Sequence, residues 1–279
     1  MNQKTAVLIT CHNRREKTIA CLDALFKSKL NPQFLFEVFL VNDGSTDGTD
    51  VLVKKQFASV NIINGDGQLF WNRGMLLAWE TAVKVGNFDF FLWLNDDTII
   101  FNNALNLMMS QALIWEKKRI IVGTTCSEQN GKFTYGGYKF YNDELIPNGT
   151  WQDCDFFNGN ITLIPNFIFQ KVGFLDKRFS HALGDFDYGM RARKIGYIHL
   201  SSPEYLGFCE RHEKAPLWRD ASLPVKKRFK HLYSPLGKNP VEAFISDHRH
   251  HGIINAIYHF ITLHIRVLVP WLWELFEKK

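Results

Sequence analysis

The sequence predicts an α/β fold: a mixed, mainly parallel sheet with helices on both faces, followed by a C-terminal helical appendage. Three observations carry that reading. Short apolar runs recur at Thr5–Thr10, Leu35–Val41 and Phe90–Leu94, each too short for a helix. Each run ends in a polar loop rich in Asn or Asp. Segments with apolar residues at helical spacing lie between the runs, which implies parallel strands joined by helical crossovers.

The elements follow in chain order. Thr5–Thr10 is the first strand and Cys11–Arg15 a polar loop. Glu16–Lys29 reads as a helix through Ile19, Leu22 and Phe26. Leu35–Val41 is the second strand. Asn42–Thr49 then combines small residues with carboxylates at the opening of a helix, where backbone and Asp can meet a polar ligand. In Asn64–Gly74, two glycines surround Asp66, and Phe70 and Trp71 precede a helix from about Asn72 to Val85. Phe90–Leu94 carries no polar residue, as a strand buried on both faces requires. It runs straight into Asn95-Asp96-Asp97. Such an end delivers acids to the carboxyl edge of a sheet, where open α/β folds bind ligands. Adjacent like charges call for a cation, and oxygen ligands select Mg²⁺ or Mn²⁺; a solvated turn would look the same.

The second half is read in the same way. Residues 102–115 form a helix and Arg119–Gly123 a strand. Lys132–Tyr141 reads as a hairpin or loop whose aromatics, Tyr138 among them, would stack on a sugar or half-bury in the sheet. Asp155–Asn160 precedes the apolar run Ile161–Pro165. Gly184–Tyr197 opens with Asp185 and Asp187 and continues as a helix. Two residues apart, those acids diverge by about 200° on a helix, so one faces a site and the other does not. Arg191, four residues beyond Asp187, is its expected salt-bridge partner.

Composition excludes several classes. With 279 residues and 46% hydrophobic content, the chain suits one large domain, or one plus an appendage. The N-terminus lacks a charged-then-apolar secretory pattern, so a cytoplasmic location is expected. Five cysteines without a C-x-x-C pair fit a reducing compartment and argue against a disulfide framework. Residues 1–225 hold 24 Lys and Arg against 24 Asp and Glu; residues 226–279 hold 9 against 4. A neutral body does not suit nucleic acid. The expected division is therefore a catalytic domain over 1–225, with halves of about 1–100 and 101–225, and a basic tail over 226–279.

The motifs resemble family 2 glycosyltransferases with the GT-A (Rossmann-like) fold, similar to bacterial rhamnosyl-, galactosyl- and glucosyltransferases of surface-polysaccharide synthesis. Thr10-Cys11-His12-Asn13-Arg14, Val41–Thr49, Asn95-Asp96-Asp97 and Asp185-x-Asp187-x-x-x-Arg191-x-x-x-x-Gly196-Tyr197 match in order and spacing, over roughly residues 4–215. The resemblance implies a UDP- or dTDP-sugar donor, with Thr10, His12, Asn13, Arg14 and Asp43 at the nucleotide. Asp66 would bond base or ribose, and Arg73 would face a phosphate. Asn95 and Asp96 would reach the ribose. Asn95 stands where the family has Asp, so the metal falls to Asp97, with His212 as a second ligand to Mn²⁺ or Mg²⁺. Trp71, Asn158, Gly159 and Asp187 would face the donor sugar or the acceptor. Gly184 replaces a usual acid, and Asp185 is the expected general base of an inverting transfer, since an acceptor hydroxyl needs its proton removed. The implied acceptor is a glycan or polyprenyl-linked hydroxyl. Two alternatives stay open: a nucleotidyltransferase, which normally opens with a glycine-rich phosphate loop absent here, and a non-catalytic nucleotide-sugar-binding scaffold. A homo-oligomer is compatible with all three.

The tail is read separately. Lys226–His231 is a basic run and Gly252–Trp273 is mostly apolar. On a helix, Asn255, His259, Thr262 and Arg266 form one polar stripe. A spanning helix would bury His259, His264 and Arg266 in hydrocarbon, so the expectation is an interfacial helix on an anionic membrane, at the inner face of the cell membrane. Helices packed on protein are the other reading.

Overall fold

The computed structural model describes residues 2–140, 143–211 and 216–271. The chain divides into two compact units. One joins Met1–Lys177 to Asp185–Arg211; the other joins Arg178–Gly184 to His212–Lys279. Trp218 is buried with Leu232, Ala243 and Leu263 in the core of the second unit.

The first unit is organised on a parallel block. Strands β1 (Gln3–Cys11), β2 (Phe34–Asp43), β3 (Asn61–Gly65) and β4 (Phe90–Leu94) lie in the order β4-β1-β2-β3, every pair parallel. Helices α1 (Arg15–Lys27), α2 (Thr49–Gln56) and α3 (Phe70–Val85) make the crossovers. Helix α1 buries Thr18, Cys21, Leu22 and Leu25, one stripe at helical spacing. All five residues of β4 are buried, as its uninterrupted apolar run requires. Alternate residues of β1 serve opposite faces: Val7 and Ile9 join Leu22 and Leu92, while Ala6 and Leu8 join Trp79 and Trp93.

The rest of this unit extends the sheet. It comprises β5 (Ile99–Ile100), α4 (Ala104–Ile114), β6 (Arg119–Cys126), β7 (Phe133–Tyr135), β8 (Gly137–Lys139), β9 (Asp143–Glu144), β10 (Gln152–Cys154), β11 (Phe156–Phe157), β12 (Ile161–Pro165), α5 (Asn166–Val172), α6 (Gly184–Lys194) and β13 (Ile198–Phe208). The full order is β10-β13-β6-β12-β4-β1-β2-β3, with β5 on β13 and β7 on β6. Strand β12 runs antiparallel to both neighbours, β4 and β6. Of the segment read as a hairpin or loop, β7 joins the main sheet, while β8 pairs with β9 and β11 in a separate three-stranded sheet.

The second unit contains α7 (Val225–Leu232), α8 (Pro240–His251) and α9 (Ile253–Leu268). Asn239 caps α8 by accepting from the Val241 N–H at 3.0 Å, with Pro240 in the first turn. The buried Glu242 accepts from the Ser180 hydroxyl at 2.7 Å and its N–H at 3.1 Å, tying residues 178–184 to α8. Helix α9 ends two residues before Pro270. No helix among the described residues is long and apolar enough to cross a membrane.

Candidate active site

The parallel block sends four loops to one edge of the sheet. Those after β1 and β2 are stitched together. The Asn13 N–H donates to the Ser45 hydroxyl at 3.0 Å, and its Oδ1 accepts from the Thr46 N–H at 2.8 Å. Asn13 itself adopts φ 49°, a left-handed conformation that Asn tolerates. The His12 ring bonds the Asp43 carbonyl. Thr10 is buried against α3, where a Cβ added at Gly74 would strike its hydroxyl.

Asp43 is buried, and its carboxylate is occupied by backbone. Oδ1 accepts from Gly67 N–H at 2.7 Å, and Oδ2 from Leu69 and Phe70 N–H at 3.0 Å each. The loop between β3 and α3 folds around this one side chain, and Phe70 pays with a positive φ of 56°. Asp66 is exposed and closes its own turn, accepting from Gln68 N–H at 2.9 Å. Arg73 donates Nε–H to the Lys177 carbonyl at 3.2 Å. We expect Asp43→Ala to leave three N–H groups without an acceptor and to lower stability by about 2–4 kcal/mol. Urea unfolding checks this; a loss below about 1 kcal/mol would mean the loop does not depend on Asp43.

The acidic pair after β4 holds its own counter-ions. The Arg14 Nη1 donates to Asp96 Oδ1 at 3.1 Å and Asp97 Oδ2 at 3.0 Å, and the Lys17 ammonium lies 3.7 Å from Asp97 Oδ2. On the other edge of Asp97, Oδ1 faces the Cys209 thiol at 3.6 Å, and the Asn160 amide donates to that sulfur at 3.4 Å. Burial, and then the Asp97 charge, push the Cys209 thiol up to about 12, so it stays protonated and donates. Burial pushes the Asp96 carboxyl up to about 7, against the pull of Arg14. Its Oδ2 is buried without a hydrogen-bond partner.

A chain of contacts leads from this pair to Asp185. The Trp71 Nε1–H donates to Asn95 Oδ1 at 2.7 Å, which fixes the amide. The same indole packs on Gly159, where an added Cβ would lie 2.6 Å from its ring. Gly159 N–H donates to Asp185 Oδ2 at 2.9 Å, and Phe186 N–H to Oδ1 at 2.9 Å. Burial raises the Asp185 carboxyl to about 6 although both N–H groups pull the other way. Asn158 Oδ1, next to Gly159, is a buried acceptor without a partner. Asp187 is fully buried, with Oδ2 accepting from Arg191 Nε–H at 2.8 Å. Arg191 also binds the Val172 and Phe174 carbonyls at 2.8 Å each, locking α6 to α5.

Among the described residues, no three His, Cys, Asp or Glu side chains could hold a metal ion between them. Asp97 has one oxygen facing Arg14 and Lys17 and the other a protonated thiol. His212 lies outside the described residues.

The comparisons with known proteins bear on the family and the fold. Residues 6–179 match Glycosyl transferase family 2. The chain belongs to that family. No curated protein matches it. Among solved structures, the mannosyltransferase PcManGT from Pyrobaculum calidifontis, in complex with GDP-Man and Mn²⁺, is similar at 12% identity; 100% of this chain and 89% of that chain are covered, with a TM-score of 0.58. S. aureus TarS 1–349 in complex with UDP-GlcNAc is similar at 16% identity, with 95% and 83% covered and a TM-score of 0.56. The fold of this glycosyltransferase is therefore GT-A. Its site also holds residues that motif reading passed over. Lys17 carried a signal, since it sits three residues beyond Arg14 on the first turn of α1. Cys209 and Asn160 carried none, because Cys209 reaches Asp97, and Asn160 reaches Cys209, only through the folding of distant segments.

Proposed function

We propose that this glycosyltransferase is an inverting enzyme that moves a sugar from a nucleoside-diphosphate donor to a hydroxyl of a glycan or lipid-linked acceptor. The observation that carries the reading is Asp185. Its carboxyl is raised to about 6 by burial and is held by Gly159 N–H against the indole that orients Asn95. A carboxylate with that affinity for protons is mostly ionised at neutral pH, yet a better base than an ordinary Asp. In an inverting displacement the base sits on the face away from the leaving diphosphate, and the hydroxyl proton passes to Asp185 as the new bond forms.

The donor end falls to the edge where Arg14, Asn95, Asp96 and Asp97 converge. Asp97 would hold Mn²⁺ or Mg²⁺, an ion that neutralises the charge developing on the departing diphosphate. Arg14 and Lys17, paired with the carboxylates, would pass to that diphosphate. PcManGT with GDP-Man and Mn²⁺, and TarS with UDP-GlcNAc, support a nucleotide-sugar donor here. The setting we favour is bacterial surface-polysaccharide synthesis at the inner face of the cell membrane.

The test is product analysis with a panel of UDP-, dTDP- and GDP-sugars, Mn²⁺ and polyprenyl-linked or free glycan acceptors. Free nucleoside diphosphate and a product of inverted anomeric configuration are expected. Release of pyrophosphate would mean nucleotidyl transfer, and donor binding without turnover on any acceptor would mean a scaffold.

A further inference from the structure

Helix α9 has three faces. At about 100° per residue, Ala256, Leu263 and Val267 point one way, and all three are buried. Asn255, His259, Thr262 and Arg266 form the polar stripe; His259 Nδ1 pairs with Asp247 of α8 at 2.8 Å. The third face consists of Ile254, Ile257, Tyr258, Ile261, Ile265 and Leu268. They fall within an arc of about 100°, and each is 39–80% exposed. A soluble helix normally turns such an arc toward a core; here the core is served by a different arc. Trp271, just past the helix, is 58% exposed.

Cations border this face. The edge of the arc is marked by His264, whose Nε2 meets the Tyr233 hydroxyl at 2.8 Å and whose ring contacts Phe229. Phe229 belongs to α7 and Tyr233 directly follows it, so α7 runs alongside that edge. Helix α7 exposes Lys226, Lys227 and Lys230. The segment 226–279 holds 9 Lys and Arg against 4 Asp and Glu, whereas the rest of the chain is balanced.

We propose that this face of α9 seats in the headgroup–acyl boundary of an anionic membrane, with the lysines of α7 against the lipid phosphates. The chemistry matches on both counts: an apolar arc for the acyl region and cations beside it for negative headgroups. A second copy of the chain fits less well, because a two-fold contact sets the same apolar arc against itself, and that arc carries no acid to meet the lysines beside it. A span is excluded for α9 by its length and by its polar stripe. The inference adds a lipid surface to the transferase reading and depends on it only for its purpose, which is to hold the enzyme where a lipid-linked acceptor lies.

Co-sedimentation of the full chain with vesicles tests it. The protein should pellet with phosphatidylglycerol–phosphatidylethanolamine vesicles at low salt, lose most binding at high salt, and stay in solution with phosphatidylcholine vesicles. Ile257→Glu/Ile261→Glu should weaken binding by about tenfold or more. Lys226→Glu/Lys230→Glu, at exposed positions that leave the fold intact, should remove the preference for anionic lipid. A wild-type chain that ignores anionic vesicles at low salt overturns the proposal. So does light scattering that finds a dimer which Ile257→Glu/Ile261→Glu dissociates. Release of nucleoside diphosphate with a soluble acceptor should be unchanged in these variants, so a failure of docking and a failure of the chemistry are read separately.

Discussion

Asp185→Asn lowers turnover by roughly 10²–10⁴, the span of a lost general base, and leaves donor affinity nearly intact. The amide keeps the size of the carboxylate and can still accept from Gly159 N–H through its oxygen, giving up only the bond from the adjacent Phe186 N–H. What it loses is the ability to take a proton. The pH profile gives the second half of the test. The ionised form is the active one, and burial sets the carboxyl at about 6. The wild-type kcat/KM should therefore fall as pH drops below about 6 and level off above it. In the Asn variant that limb should be absent. Asp187→Asn is the control: it should loosen the Arg191 anchor and lower stability, with the acidic limb kept. If instead Asp187→Asn flattens the profile and Asp185→Asn does not, the roles are reversed.

Asp97→Ala removes the carboxylate that faces two cations and a thiol. Turnover should drop by about 10³ or more, since support of the leaving diphosphate is worth several kcal/mol. Calorimetry supplies a reading apart from activity. Mn²⁺ should strengthen nucleoside diphosphate binding to the wild type and have no effect on the variant. Unchanged Mn²⁺ dependence in Asp97→Ala would refute the assignment. Arg14 keeps Asp96 Oδ1 at 3.1 Å in its absence, so the fold of this edge should hold.

Much of this site was legible in the chain because it rests on local rules. Phe90–Leu94 could only be a central strand, and Asn95-Asp96-Asp97 had to emerge at its end. The spacing of Asp187 and Arg191 forecast their ion pair, and the geometry of a helix forecast that Asp185 and Asp187 would part company. The illegible part is long-range. Nothing near Asp43 signals that a loop 24 to 27 residues on will claim both its oxygens. Cys209 meets Asp97 because the end of β13 pairs with β5, Phe208 opposite Ile99, a long-range pairing that no periodicity encodes. The small sheet of β8, β9 and β11 is built from strands of two or three residues, below the length at which alternation can be read.

The seam between the loops after β1 and β2 has an evolutionary consequence. Asn13 is bonded to Ser45 and Thr46, and the Arg15 N–H donates to Asp47 Oδ2 at 2.9 Å while its guanidinium reaches the Asp47 carbonyl at 3.1 Å. Residues 32 or 33 positions apart thus share single hydrogen bonds. A change on one side alters what the other side can accept, so their effects do not add. The two loops therefore change as one part, by paired substitutions across the seam.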